Sequence, residues 1–394
     1  MNRACFFKNA TELASSTKLN LHENIDMRAT SDLLKSNYLR MKIQSITIIL
    51  LTVFLSFSCG TKSSKQAQKG QDLKIVFVNQ KTEKEVDVMI DGKLFTSYCW
   101  YDNVFKPVLY PVYTSAGTAI TRGFPLKPRT GERNDHLHQI GIWLNYGNVN
   151  GYDFWGNGSS GTKDPEGGEV KHLAIEKLSG GTGEGVMVTR ESWLDPAGKE
   201  LLAENTKYHF IAKGSIRIID RITTLTATGI TVTMKDTKEG MFGIRVARQL
   251  ELPSKEDIVL TDAQGNPTTV KALPNEGVTG NYISSEGVTG EAVWSTRTRW
   301  MDLYGSIGNE KISLVICDHP KNQSYPTYWH ARGYGLFSAN PLGAKDFTQG
   351  KEELNFSIPA GKSTTFRYRV IINSGSHLTD VEINAYADEF AKKY

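Results

Sequence analysis

From Leu73 onward the chain alternates apolar and polar residues in short runs broken by turn signals. Leu73–Asn79 reads LKIVFVN, the polar stretch Gln80–Lys84 follows, and then come Glu85–Ile90, Asp91-Gly92 and Lys93–Trp100. Asp-Gly between two alternating runs predicts a two-residue hairpin turn, because both central residues of a type I′ turn need positive φ. Further runs are Glu184–Trp193, Leu201–Lys213, Ser215–Thr226 and Ile230–Lys235. Near the end, Phe366, Tyr368, Val370 and Ile372 alternate with Arg367, Arg369 and Ile371, a period-two pattern for a sheet with one face mostly wet. Runs spaced about 8–12 residues apart with few helical intervals predict an all-β chain: a large antiparallel β-sandwich of supersandwich or jelly-roll type. Residues 72–394 read as one domain, with two tightly apposed sandwiches as the alternative. A short C-terminal helix is expected to cover an end or edge of the sheet. Thr379 and Glu382 form its capping box, and Val381, Ala385 and Phe390 its apolar stripe. EGVTG occurs twice, ten residues apart, within Glu276–Gly290, which reads as two similar glycine turns and not as a repeat architecture.

The stretch before this domain has a different pattern. Residues 43–58, IQSITIILLTVFLSFS, are uncharged, with Arg40 and Lys42 ahead of them and Cys59-Gly60 behind. The stretch falls short of the about 20 residues that a membrane-spanning helix needs. A basic flank, an apolar core and small residues at the boundary make a secretory signal, and Ser56-Phe57-Ser58-Cys59 is a loose lipobox with Cys59 as the lipidated residue. Residues 41–58 are therefore expected to be a lipoprotein signal peptide starting at Met41, with residues 1–40 arising from a misplaced start. Residues 59–71 are rich in Lys, Ser, Gln and Gly and read as a flexible tether. The expected location is the cell envelope, lipid-anchored and facing the periplasm.

Charge then loses its apparent meaning. Residues 1–58 carry seven Lys/Arg and four Asp/Glu, so the formal charge falls from +4 to +1 once they are removed. No basic patch with interleaved aromatics remains, and nucleic acid is not an expected partner. Of the four cysteines, Cys99 and Cys317 stay in the mature domain. Each sits in an apolar strand-like run, so two buried thiols are expected, with a disulfide as the alternative.

Three segments concentrate chemistry. The first is Arg122–Trp155, where Asp135, His136, His138 and Gln139 fall together with Glu132 and Arg133 close by. If residues 135–145 form a strand, His136 and His138 project from one face. Two imidazoles so placed can bind a metal or act as acid and base; a satisfied polar pair at a strand end is the alternative. The second is Cys317–Asp346, with Asp318, His319, His330, Arg332 and Asn340 among Tyr325, Tyr328, Trp329, Tyr334 and Phe337. Rings beside Arg and His suit a polyhydroxylated ligand, whose C–H faces stack while its hydroxyls hydrogen-bond. Ordinary packing of aromatics under a long loop is the alternative. The third is Lys238–Leu252, with Glu239, Arg245 and Arg248. The sequence has no GxSxG elbow, P-loop, HExxH or CxxC.

The stretches RGFPLKPRTGERNDHLHQIGIWLNYGNVNGYDFW, KEGMFGIRVA and DHPKNQSYPTYWHARGYGLFSANPLG, in that order, resemble a bacterial family known as PmoA-like, or methane oxygenase. A particulate methane monooxygenase subunit spans the membrane many times, whereas residues 72–394 contain no apolar run near 20 residues, so that activity is not expected. The resemblance implies a β-sandwich protein with a carbohydrate role, and analogy with the aldose-epimerase-like supersandwich joins His to a carboxylate. The family motif often reads Asp-His-Pro-His-His where this chain has Asp135-His136-Leu137-His138-Gln139, and often has Asp at Gly333.

Together these readings give a sugar- or sugar-acid-binding lipoprotein, with transformation by acid–base chemistry. His136 or His138 is the expected acid or base and Glu239 the opposite partner. Arg133, Asp135, Arg245, His330, Arg332, Asn340 and Trp329 are expected to position the substrate. No cofactor is expected, a divalent metal at His136 and His138 being the alternative. The rivals are a non-catalytic glycan-binding lipoprotein and a metalloprotein with His136, His138 and His330 as ligands.

Overall fold

The computed structural model describes residues 70–268 and 275–394. The signal and Cys59 lie outside the described residues, which belong to one compact unit, Lys69–Tyr394. Pairing starts where the sequence places its hairpin. β1 (Lys74–Gln80) pairs antiparallel with β2 (Glu85–Ile90), which turns into β3 (Lys93–Cys99) with Ile90 opposite Lys93. Asp91 and Gly92 between them have φ of 46° and 75°, as a type I′ turn requires.

Two large antiparallel sheets result. The first runs β16 (Tyr328–Arg332), β17 (Leu336–Asn340), β12 (Gly240–Arg245), β5 (Ile142–Tyr146), β4 (Val108–Val112), β3, β2, β1, β7 (Gly181–Thr182). The second runs β13 (Asn281–Ser284), β14 (Trp300–Ile307), β15 (Glu310–Asp318), β19 (Ser363–Ser374), β10 (Ile216–Ala227), β9 (Glu200–Lys213), β8 (Glu184–Leu194), β6 (Glu169–Ser179). A small ribbon pairs β11 (Val232–Met234) with β18 (Phe356–Ile358). The expected run Ile230–Lys235 thus shortens to its middle.

One apolar core lies between the sheets. Ile142, Leu144 and Tyr146 of β5, Phe242 and Ile244 of β12, Phe337 and Ala339 of β17 and Trp329 and Ala331 of β16 contribute from one side. Phe366, Tyr368, Val370 and Ile372 of β19 and Leu314 and Ile316 of β15 contribute from the other. Phe242 stacks on Tyr368 with ring centroids 4.8 Å apart. Each buried side chain of this size adds roughly 1.5–3 kcal/mol, which makes the inter-sheet core the dominant driving term.

The second sheet has a covered outer face. α1 (Ala344–Phe347) is a single turn elsewhere; α2 (Asp380–Lys393) lies on this face. Thr379 and Glu382 cap α2 reciprocally. Its buried stripe is Ile383, Ala387 and Phe390, packed with Ile218, Trp300, Val315, Cys317 and Ile371. The expected stripe is therefore shifted, and Val381 is 79% exposed in the first turn. The expected wet face is corrected too: Arg369, fully buried under α2, makes a two-pronged pair with Asp220 at 2.6 and 2.9 Å. Cys99 and Cys317 are free and buried, and burial pushes both thiols up to about 12.

Candidate functional site

Strand alternation sends Trp143, Gly243, Arg245, Ser338, His330 and Arg332 to the outer face of the first sheet, opposite the core residues on the same strands. Trp143 stands opposite Gly243, Gly243 opposite Ser338, and Ser338 opposite His330, so one row crosses four strands. Glycine is required at 243: a Cβ there would sit 2.7 Å from the Trp143 ring.

The segment 122–141 folds over this face around a single guanidinium. Arg122 is 1% exposed. Its Nη1 donates to the carbonyls of Arg133 (3.2 Å) and Asp135 (2.7 Å), and its Nη2 to those of His136 (2.8 Å) and Gln139 (3.1 Å). This tight wrapping replaces the expected strand over 135–145. The strand starts at Ile142, and His136 has a φ of 45° in the left-handed region. The two imidazoles meet nonetheless, with ring centroids 5.8 Å apart.

Asp135 is the hub. Its Oδ1 accepts from Arg122 Nη1 at 2.9 Å and Arg245 Nη2 at 2.6 Å, and lies 3.4 Å from His136 Nδ1. Burial pushes the Asp135 carboxyl up, but the His136 hydrogen bond and the two guanidiniums outweigh it and hold it well below the usual carboxylate range. Arg245, fully buried, also donates to Gln139 Oε1 at 2.6 Å. Tyr334 lies in the turn between β16 and β17. Its ring is parallel to His136 at 4.9 Å and has the Arg245 guanidinium 4.9 Å from its centroid.

The two histidines of the first motif thus differ in kind. The His136 side chain is 40% exposed. His138 is buried, and burial first, then Lys106, His136 and the two arginines, depress it to about 2, so it is a neutral imidazole. Its carbonyl accepts from the buried Lys106 Nζ at 2.6 Å, and burial pulls that ammonium down to about 7. His330 is likewise buried and depressed to about 4, by burial first; Glu239 opposes the shift. Glu239, one-third exposed, pairs with Lys238 at 2.7 Å and acts electrostatically on both His330 and Tyr334.

Two expected substrate-binding residues have other duties. Trp329 points into the inter-sheet core and donates to the Thr298 carbonyl at 3.1 Å, because it alternates with His330 on β16. Asn340 is fully buried. It donates to the carbonyls of Thr237 (2.8 Å) and Lys238 (3.0 Å) and accepts from Leu342 N–H (3.0 Å), bracing the chain that leads to Glu239. Arg133 pairs with Glu251 at 2.7 Å and, with Arg332, Leu252, Glu291, Gly333 and Tyr334, lines a cleft of about 350 Å³. Arg122, Lys106 and the central place of Tyr334 escape a sequence reading, although an aromatic between two glycines, Gly333 and Gly335, signals a ring presented on a turn. Among the described residues no group of three or more His, Cys, Asp or Glu side chains is placed to hold a metal ion, so His136, His138 and His330 do not form a ligand triad.

Residues 85–388 match the model of a family of unknown function (DUF6807), and the chain belongs to that family. No curated protein matches it. Among solved structures it is similar to the galactosidase domain of alpha-galactosidase-sucrose kinase, AgaSK, at 9% identity and a TM-score of 0.35, covering 76% of this chain and 41% of that one. The chain thus spans about two fifths of that protein's length. It is similar to a galactose mutarotase related enzyme from Lactobacillus acidophilus at 8% identity and a TM-score of 0.26, covering 77% of this chain and 97% of that one. A GalM/aldose epimerase homologue from C. elegans gives 10% identity and a TM-score of 0.27, covering 78% and 100%.

Proposed function

We propose that this member of DUF6807 binds a sugar-like, polyhydroxylated ligand on the outer face of its first sheet and transforms it by acid–base chemistry. The observation that carries the reading is the setting of His136. Its Nδ1 faces the Asp135 carboxylate at 3.4 Å, its ring lies on Tyr334 at 4.9 Å, and its side chain stays 40% exposed. A carboxylate at Nδ1 fixes the tautomer and leaves Nε2 to exchange a proton with a ligand. Buried Arg245 holds Asp135 and Gln139 and lies over the Tyr334 ring, while the part-exposed Glu239 offers an acceptor of the kind that orients a sugar hydroxyl. Glu239 is the opposite acid–base partner, as ring opening or epimerisation needs. His138 is buried and neutral, so of the pair His136 takes the chemical role. The three ordered motifs also support reading the chain as PmoA-like. The apolar stretch 43–58 and Cys59 support export and a lipid anchor on the periplasmic side.

A second reading, a non-catalytic glycan-binding lipoprotein, draws on Gln139: an amide replaces an acid–base group, and its oxygen already accepts from Arg245. One experiment separates the two. The purified protein is incubated with a panel of aldoses, uronic acids and short glycans, followed by proton NMR and by melting temperature. A ligand that binds the native fold raises the melting temperature by mass action. The proposal expects a stabilising sugar that is also converted, with conversion lost in His136→Ala. Stabilisation without conversion establishes the binding protein, and no stabilising sugar contradicts both.

A further inference from the structure

The outer face of the first sheet carries several cations held close together. Arg122 and Arg245, at 1% and 0% exposure, converge on one oxygen of Asp135. Each also buries an Nε–H that has no hydrogen-bond partner among the described residues. Lys106, buried beside them, donates to the carbonyl of His138, an uncharged acceptor. Two strands away, Arg332 is half-buried and, among the described residues, has no ion pair; its guanidinium lies 5.8 Å over the Trp294 ring. Arg332 lines the cleft of about 350 Å³ next to Tyr334. Guanidiniums carry donors and no acceptor, and buried cations without a counter-charge cost stability. Arg332, half-buried on the cleft wall, is placed where an anion can reach it from solvent.

Building on the reading of this face as a sugar site, we propose that its ligand is a sugar acid, a polyhydroxylated molecule with one carboxylate. Arg332 binds the carboxylate from the cleft wall, and Tyr334 and His136 take the ring. A guanidinium fork matches a carboxylate through two parallel N–H···O bonds. Glu256 and Glu291 on the same cleft oppose a more highly charged group, so a carboxylate monoanion is favoured over a phosphate dianion.

The test is isothermal titration of the purified full-length protein with D-glucuronate, D-galacturonate and D-gluconate, beside D-glucose, D-galactose and D-glucose 6-phosphate. The wild type is compared with Arg332→Gln, and folding of the variant is checked by melting temperature. The proposal expects at least one acid to bind ten-fold or more tighter than its neutral counterpart. It also expects Arg332→Gln to abolish that preference. In the wild type alone, raising sodium chloride from 20 to 300 mM should weaken the acid and leave the neutral sugar unchanged. Equal binding of acid and neutral sugars, or a preference that survives in Arg332→Gln, overturns the sugar-acid proposal and leaves the sugar site standing. Tightest binding of the phosphate overturns the carboxylate assignment. Binding of none of the six overturns both the proposal and the sugar reading beneath it.

Discussion

Two outer faces of one sandwich, built by the same alternation, handle buried charge in opposite ways. On the second sheet, Arg369 meets Asp220 through two hydrogen bonds, with Glu389 3.4 Å from the guanidinium and His209 3.7 Å from the carboxylate, and α2 covers the pair. On the first sheet, Arg122 and Arg245 share one oxygen of Asp135, and the imidazole of His136 completes the cluster while staying open to solvent. The first arrangement is closed and self-sufficient. In the second, buried nitrogens of Arg122, Arg245, His138 and His330 have no hydrogen-bond partner among the described residues. A face that spends its charges internally holds the fold together; a face that does not is prepared for a ligand.

Breaking the closed face should give the largest loss of stability. Arg369→Ala leaves Asp220 buried without its cation and should cost ~3–5 kcal/mol in urea unfolding. A loss below ~1 kcal/mol would show that the pair under α2 is not structural. Acidification should strike the open face next. The folded-state values of His138 and His330 lie below that of a free imidazole, so the unfolded chain binds protons that the native state refuses. Stability is then full above about pH 6.5 and falls as the pH drops toward about 4, at roughly 1.4 kcal/mol per pH unit for each group. Unfolding at pH 7 and pH 5 should show this drop, and His330→Gln should make it shallower. A drop of equal slope in that variant removes His330 from the account.

Smaller effects sharpen the comparison within the open face. Gly243→Ala pushes a Cβ against the Trp143 ring and should cost ~1–3 kcal/mol by overpacking, seen as a lower urea midpoint. His136→Ala should change stability least, by under ~1 kcal/mol, because its side chain is 40% exposed. Its effect on turnover of an identified sugar should instead be a loss of at least about 100-fold, as general acid–base catalysis implies. A His136→Ala variant that unfolds but retains specific activity when folded would reverse the assignment.

Local signals in the chain announced the parts of the fold that depend on neighbours in sequence. The Asp91-Gly92 turn and the Thr379–Glu382 capping box are set by a few adjacent residues, and both stand as expected. Period two shows that Trp329 and His330 point oppositely. It does not say which of them meets the other sheet, since both sides of β16 carry rings or polar groups; Trp329 went to the core and His330 to the open face. Arg369 reads as a wet strand residue until its partner Asp220, 149 positions away, is placed beside it. The same holds at the site. Asp135 and His136 stand out in sequence, but Arg245 is 110 positions from Asp135, and the pairing makes the loop around Arg122 into a turn where alternation suggested a strand.

The most direct test of the site is an NMR titration of the purified protein with the sugar that most raises its melting temperature. The account predicts shifts in the His136 imidazole and Tyr334 ring signals, with the Trp300 indole under α2 unmoved. Shifts at Trp300 with none at His136, or no sugar that perturbs either face, would contradict it.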